Sequence, residues 1–258
     1  MIDFLWTIMT WHIVSYTAAF WIFFIQGRIY FFAFTFYWHD SAYHKHYTIV
    51  PWFEHCCRFY MWVNSSVWYQ GHLTKFTAEH YLHHKYTDQP GDPVSPHQFP
   101  LRKLVTYEQR EGAARYVSPE SVEKYGDHSV EPNDPFTMFY KKHQFKGMWI
   151  NMLFWTILLG PIGTVIGYLT PKINQYYGAL LGDFIWHRFG YKHPKGKTEA
   201  RNILPVVLHG GLHSNHHNNP KEPNKAVRWF ELDLNYHICK LLALVKIIKW
   251  TDMSQRKY

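Results

Sequence analysis

The chain has 258 residues, enough for one large domain, and a net charge of +8 at neutral pH. Aromatic side chains make up 19% of it and charged ones 18%, richer in aromatics and poorer in charge than an ordinary soluble chain. There is no basic stripe or known binding motif, which argues against a nucleic-acid partner, and Cys56, Cys57 and Cys239, odd in number and without a C-x-x-C pair, read as reduced and structural.

In chain order, Phe4 to Gly27 is free of charged side chains, and its core, Trp6 to Ile25, is apolar and aromatic. This run is too long for the apolar region of a signal peptide and lacks a small-residue cleavage site after it, so no cleavable signal is expected. Arg28 interrupts, and Ile29 to Trp38 is apolar again up to His39. A membrane-crossing helix takes roughly 20 apolar residues, so residues 1–38 are read as a first short transmembrane hairpin. Pro51-Trp52 breaks the chain, and Phe59 to Val67 reads as an interfacial amphipathic helix. Residues 85–146 are polar and rich in Pro, Gly and Asp, a water-facing excursion.

Gly147 to Pro171 is the second charge-free stretch. Gly160-Pro161-Ile162-Gly163 is a candidate kink, Thr170-Pro171-Lys172 a candidate turn, and Ile173 to Trp186 a further apolar piece ending at His187. Residues 188–258 hold thirteen Lys/Arg against five Asp/Glu, which is the whole charge surplus. A basic segment beside apolar helices points to the cytoplasmic side of a membrane, facing anionic headgroups. Residues 226–249 read as a basic amphipathic helix on that surface.

Histidines punctuate this pattern. His80, His83 and His84 share one helical face at i, i+3 and i+4. The same spacing returns at His213, His216 and His217, and His39 and His44 form an H-x4-H pair. Imidazole is a common ligand of iron, zinc and copper. A lone histidine is usually a surface or hydrogen-bonded core residue, and His12, His46, His55, His72, His97, His128, His143, His193, His209 and His237 are read that way. Repeated boxes are not. Eight clustered imidazoles exceed one ion, so two metals sharing eight or nine neutral ligands is the economical count. Zinc is redox-silent and its structural sites close with four ligands, which favours iron. On a regular α-helix His39 and His44 lie about 140° apart, so they share a metal only from a distorted helix end, or else serve different metals. Candidate carboxylates for the metals' charge are Asp40, Glu79, Asp88, Asp92 and Asp183.

If both H-x2-H-H boxes serve one centre, the segment 147–187 between them crosses an even number of times. The expected fold is therefore all-α and integral to the membrane. It has two short transmembrane hairpins (1–38 and 147–187) and a cytosolic helical cap made of 39–146 and 188–258, with both termini cytosolic. The turn of the second hairpin falls either near Thr170 or at the Gly160–Gly163 break.

The runs HDSAYH, HYLHH and HSNHH, with GYKHPKGKTEARNILPVVLHGGLHSNHHNNP, Asp134-Pro135-Phe136 and RWFELDLNY, resemble the membrane-bound fatty acid desaturases, and within them the stearoyl-CoA/Δ9 group. The resemblance covers about residues 30–245. It implies nine ligands to two irons at His39, His44, His80, His83, His84, His187, His213, His216 and His217. His187 is placed by its setting before Gly190-Tyr191. It also implies O2-dependent removal of two hydrogens from an acyl chain, with electrons from a separate ferredoxin or cytochrome b5, since no fused HPGG haem motif is present. Asp183 stands where the family often has an Asn holding a metal-bound water, and Asp40 where the first box usually has Arg. Ala78-Glu79 replaces a basic residue before the second box, leaving acyl-CoA, acyl-lipid and acyl-carrier-protein substrates open. The alternative readings are a membrane di-iron hydroxylase, a catalytically dead homologue, and a metal-binding or metal-transporting membrane protein. Transporters, however, place ligands near the bilayer midplane.

Overall fold

The computed structural model describes residues 2–10, 15–64, 73–105, 117–130, 134–143, 145–178, 182, 184–203 and 211–256. Helix α1 spans Ile2–Met9 and α2 Tyr16–Ala33, and α2 runs straight into a π-helical stretch, Phe34–Tyr43. Strand β1 (Tyr47–Ile49), α3 (Pro51–Asn64) and α4 (Leu73–Tyr86) follow. Short helices α5 (Leu101–Val105), α6 (Pro119–Tyr125) and α7 (Pro135–Lys142) precede the longer α8 (Lys146–Leu159) and α9 (Pro161–Gly178). Then come α10 (Trp186–Arg188), α11 (His213–Asn218), α12 (Leu234–Leu244) and β2 (Ile248–Trp250).

Helix starts follow from the sequence. Ser15 caps α2 by accepting the Ala18 N–H at 3.2 Å. Asp134 caps α7 ahead of Pro135 and accepts the N–H groups of Phe136 and Thr137. The same carboxylate takes Arg58 Nη1 of α3 at 2.6 Å, which ties α7 to the body. Among the described residues one helix is long and apolar enough to cross a membrane, Thr17–Tyr43, 27 residues that include an 18-residue window with a mean hydropathy of 1.4. At about 1.5 Å per residue it is longer than the roughly 30 Å apolar core of a bilayer.

The second apolar segment folds back at Gly160, not at Thr170. Gly160 ends α8 with φ 82°, a conformation suited to glycine, and Pro161 opens α9. Helix α9 then runs through the expected Thr170–Lys172 turn. Pro171 has no N–H to give the Gly167 carbonyl four residues back. Asn151 Nδ2 of α8 takes that carbonyl instead, at 3.0 Å, so the helix continues with its acceptor satisfied.

Two other expectations change. The apolar run at Phe59 belongs to the longer α3, which begins at Pro51 and buries Met61, Trp62 and Val63 in the main core while Trp52 and Phe59 face outward; residues 65–67 lie outside the described residues. Residues 226–249 are helical only over Leu234–Leu244. Glu231 draws the N–H groups of Val227 and Arg228 to its carboxylate at 2.6 and 2.7 Å, and Asp233 caps the helix start, so residues before 234 cannot join it. Past the helix, Ile248–Trp250 pairs antiparallel with Tyr47–Ile49, a small ribbon in an otherwise mostly helical chain.

The largest core cluster lies directly against the histidine boxes. It joins Phe36, Tyr37, Trp38 and Tyr43 of the π stretch to Met61 and Trp62 of α3, Phe76 of α4, Cys239 of α12 and Ile248 of β2. A second, polar tie sits between apolar helices: Gln26 of α2 donates to Asn64 of α3 and reaches Asn151 of α8, and the Tyr60 hydroxyl donates to the Gln26 carbonyl. Side-chain amides of this kind join helices where water is scarce. None of the three cysteines is in a disulfide.

Helices α8 and α9 pack through glycine. A Cβ on Gly163 would meet the Trp155 backbone, and one on Gly167 would lie 2.7 Å from Met152 Cα. Backbone cannot step aside, so overpacking outweighs the helix propensity that Ala adds. Gly163→Ala is expected to cost about 1–3 kcal/mol, read as a lower thermal unfolding midpoint of the detergent-purified protein.

Candidate metal centre

All nine histidines singled out by sequence come together, in two adjacent groups: His39, His44, His80, His84 and His216, and His83, His187, His213 and His217. Within each group the ligating nitrogens lie within 4.8 Å of one another. Each H-x2-H-H box divides between the groups. Helix α4 sends His80 and His84 to the five-membered group and His83 to the other; α11 sends His216 to the first and His213 and His217 to the second. Within the five-membered group His84 Nε2 lies 3.1 Å from His216 Nε2, and the groups touch where the His84 ring stacks on His217 at 4.5 Å.

The H-x4-H pair reaches one group through its backbone. The His44 N–H bonds to the His39 carbonyl at 3.0 Å, an i→i+5 bond that closes the π-helical turn. One such turn sets residues five apart above one another, and the two rings come to 4.6 Å. The distorted helix end is the arrangement found, and both histidines lie in the same group.

Hydrogen bonds behind the rings fix which nitrogen faces inward. His39 Nδ1 lies 2.7 Å from Asp40, His187 Nδ1 2.8 Å from Asp88, and His83 Nδ1 3.0 Å from Asp92. The Thr87 hydroxyl donates to the His83 carbonyl, so its oxygen accepts from His217 Nδ1 at 3.1 Å. A neutral ring that donates from Nδ1 carries a lone pair at Nε2. Thr87, Asp88 and Asp92 stand in one loop directly after the second box, so this loop orients three of the four ligands in the smaller group. Asp88 holds its place with φ 63°, accepting Ser95 Oγ on its second oxygen while its N–H goes to Asp92.

Box three is pinned from beneath. Asn215, buried between His213 and His216, accepts from Asn202 and donates to Glu231 and to the Lys225 carbonyl, each at 2.8 Å. On the far side of the five-histidine group, Lys225 Nζ reaches Asp40 at 3.1 Å. Sequence reading missed Lys225, Thr87 and Asn215: the lysine pairs across 185 residues, and nothing local marks it. Asp40, Asp88 and Asp92, among the candidate carboxylates, lie against the histidines. Glu79 is in neither group, and Asp183 lies outside the described residues. His46 and His97 are set beside the centre rather than in it, bonded to the carbonyls of Pro220 and His187.

The donors fit two cations. In the smaller group His187 and His217 both turn Nε2 lone pairs toward His213 Nε2, at 2.9 and 3.0 Å. That nitrogen carries at most one proton, so a cation is what satisfies all three. Metal–nitrogen bonds of about 2.0–2.1 Å at right angles place neighbouring ligands roughly 3 Å apart, the spacing seen here. Burial first, and neighbouring histidines second, hold His80, His84, His213, His216 and His217 well below their ordinary value of 6.5, in the neutral form that binds metal. Burial alone would raise Asp92; the adjacent His83 ring and the N–H groups of Asp88 and Val94 outweigh it and keep it ionised.

No family model matches the chain. It is similar to Delta-9 desaturase-like 1 protein of Arabidopsis thaliana, 26% identical over 237 residues, which cover 86% of this chain and 74% of that protein. It is also similar to the sn-1 stearoyl-lipid 9-desaturase of a Synechocystis species, 23% identical over 242 residues, 90% of this chain and 70% of that one. A probable acyl-CoA desaturase of Schizosaccharomyces pombe is 24% identical over 175 residues, 64% of this chain and 35% of the relative.

Two outcomes are expected. Asp92→Asn, which weakens the hold on His83 Nδ1, lowers metal affinity about 10–100-fold, read by elemental analysis after a graded chelator challenge. Metal-free protein loses stability as pH falls below 6.5: unfolded histidines then take up protons that the buried ones refuse, at about 1.4 kcal/mol per histidine per pH unit. Chemical denaturation at pH 7.5 and 5.5 checks this, and saturating metal is expected to raise stability at both values and leave the difference in place.

Proposed function

We propose that this chain, a member of the Δ9-type fatty acid desaturase family, is an O2-dependent oxidoreductase that inserts a cis double bond into a long acyl chain at a centre of two irons. The observation that carries the reading is the gathering of nine histidines into adjoining groups of five and four, with carboxylates behind three of them. Bound iron supplies the redox chemistry with O2 that no side chain here can supply.

The chain's own residues do the rest. Asp40, Asp88, Asp92 and Thr87 hold Nδ1 of their histidines, so that Nε2 stays unprotonated and aimed inward. Aromatic packing around the centre, with Tyr43 against His44 and His80 at 4.6 Å and Phe76 stacked on His80 at 5.4 Å, keeps water from the ligands. Tight packing of this kind protects a reactive site from side reactions.

The membrane reading rests on apolar exposure. Ile2, Phe4 and Leu5 of α1 and Trp149, Leu153 and Ile157 of α8 are each more than half exposed, so these helices present apolar faces outward. Two hairpins, α1–α2 and α8–α9, would sit in the bilayer, with 39–146 and 188–258 forming a cytosolic cap over them. The acyl chain then approaches from the lipid and its carrier stays outside. Two of the named relatives are a stearoyl-lipid desaturase and a probable acyl-CoA desaturase, so both carriers stand, and acyl-carrier protein with them; electrons come from a separate ferredoxin or cytochrome b5.

Expression in a host with a competent donor, followed by lipid mass spectrometry, is expected to reveal a new monounsaturated acyl species. That species should disappear in His83→Ala and His216→Ala. A hydroxylated product would assign the site to oxygen insertion instead. Purified protein with variable zinc or copper, in place of roughly two irons per chain, would support metal transport.

A further inference from the structure

The carboxylates behind the histidines are unevenly shared. Asp88 and Asp92 serve two ligands of the four-histidine group, and their side chains are 3% and 0% exposed. Among the described residues their other partners are the Ser95 hydroxyl, the N–H groups of Asp88 and Val94 and, at 3.9 Å, the His97 ring; none is a lysine or arginine. Among the carboxylates whose bonds to the described histidines are seen, Asp40 is the one behind the five-histidine group, and the buried Lys225 ammonium lies 3.1 Å from the oxygen that His39 also uses.

Lys225 is built into this position. Its N–H goes to Asp233 at 2.9 Å and its carbonyl accepts from Asn215, the residue that anchors box three. With both side chains under a tenth exposed, little solvent or salt screens the pair.

We propose that this arrangement makes the two metal positions unequal, the four-histidine position being the easier to oxidise, and that Lys225, acting through Asp40, sets the difference. The inference rests on the reading of both groups as iron sites. A carboxylate that accepts an imidazole N–H passes electron density to the ligating nitrogen and favours the more highly charged ion. Two such carboxylates act on the four-histidine position without a cation against them. One acts on the five-histidine position, and Lys225 cancels much of its charge. The additional imidazole there is neutral and adds none. Lys225 is thus a positioning residue that touches no metal.

The test uses the whole chain, purified in detergent and loaded with 57Fe, with iron per chain measured first. Potentiometric oxidation followed by Mössbauer spectroscopy is expected to resolve two one-electron steps. Lys225→Met should move the later step toward the earlier one, and Lys225→Arg should leave both in place. Asp88→Asn should move the earlier step toward the later, asparagine being tolerated at the left-handed φ of 63°. A single unresolved step in the unaltered chain, or a Lys225→Met effect confined to the earlier step, would overturn the assignment. If Lys225→Met does not retain iron, Asp88→Asn decides alone: no movement of the earlier step overturns it. Fewer than two irons in the unaltered chain sinks the metal reading itself, and is told apart because it appears before any titration.

Discussion

Nine imidazoles gathered into two adjoining groups, seven of them held in the neutral form by burial, are the constraint around which this molecule is built. Their lone pairs oppose one another, so without a cation the groups resist being brought together. The surrounding structure supplies the force that holds them. The aromatic core packs against one side, the Asn202–Asn215–Glu231 bonds lock box three from beneath, and the β1–β2 ribbon fastens the end of the chain beside box one. His46 adds a tie by donating to the Pro220 carbonyl just past box three. A metal site assembled in this way gains from every contact that fixes a ligand before the metal arrives.

Local devices then convert sequence spacing into geometry. The π-helical turn corrects the angular error that a regular helix would leave between His39 and His44. The H-x2-H-H boxes straddle both groups, which links the two sets of histidines through α4 and α11 and makes them hard to alter separately. The loop after box two carries three orienting residues within six positions, one of them in a left-handed conformation. Strain of that kind persists where the neighbours over-determine it, and here the neighbours are the His187 ring, the Ser95 hydroxyl and a second aspartate.

The helices beneath the centre obey different rules. Their outward faces are apolar, while their contacts with one another rely on glycine and on amides: Gly163 and Gly167 at the α8–α9 crossing, and Gln26, Asn64 and Asn151 across α2, α3 and α8. Small residues and buried amides give helices a reason to associate when their surroundings are as apolar as they are.

Box spacing alone marked eight of the nine histidines that the fold gathers, and the family resemblance marked His187. The i, i+3, i+4 spacing of two boxes and the charge-free stretches are local properties, and a run of one-dimensional text preserves them. It also placed Asp40 beside box one, and Asp88 and Asp92 after box two, because these lie within a turn or a loop of their histidines. Only the tertiary structure decided how the nine divide, because each box points to two groups and the partner of each ring lies on another element. The same holds for Lys225 opposite Asp40, for the extended ends of the 226–249 segment, and for the fold-back at Gly160 in place of Thr170. The deciding partner is distant in the chain for three of these, Asp40 for Lys225, β1 for residues 248–250, and Asn151 for the carbonyl that Pro171 leaves unbonded, and local only for the start of the 226–249 segment, where Glu231 and Asp233 act. Hydrogen-bond demand settles such choices, and it is met by whichever group the fold brings near.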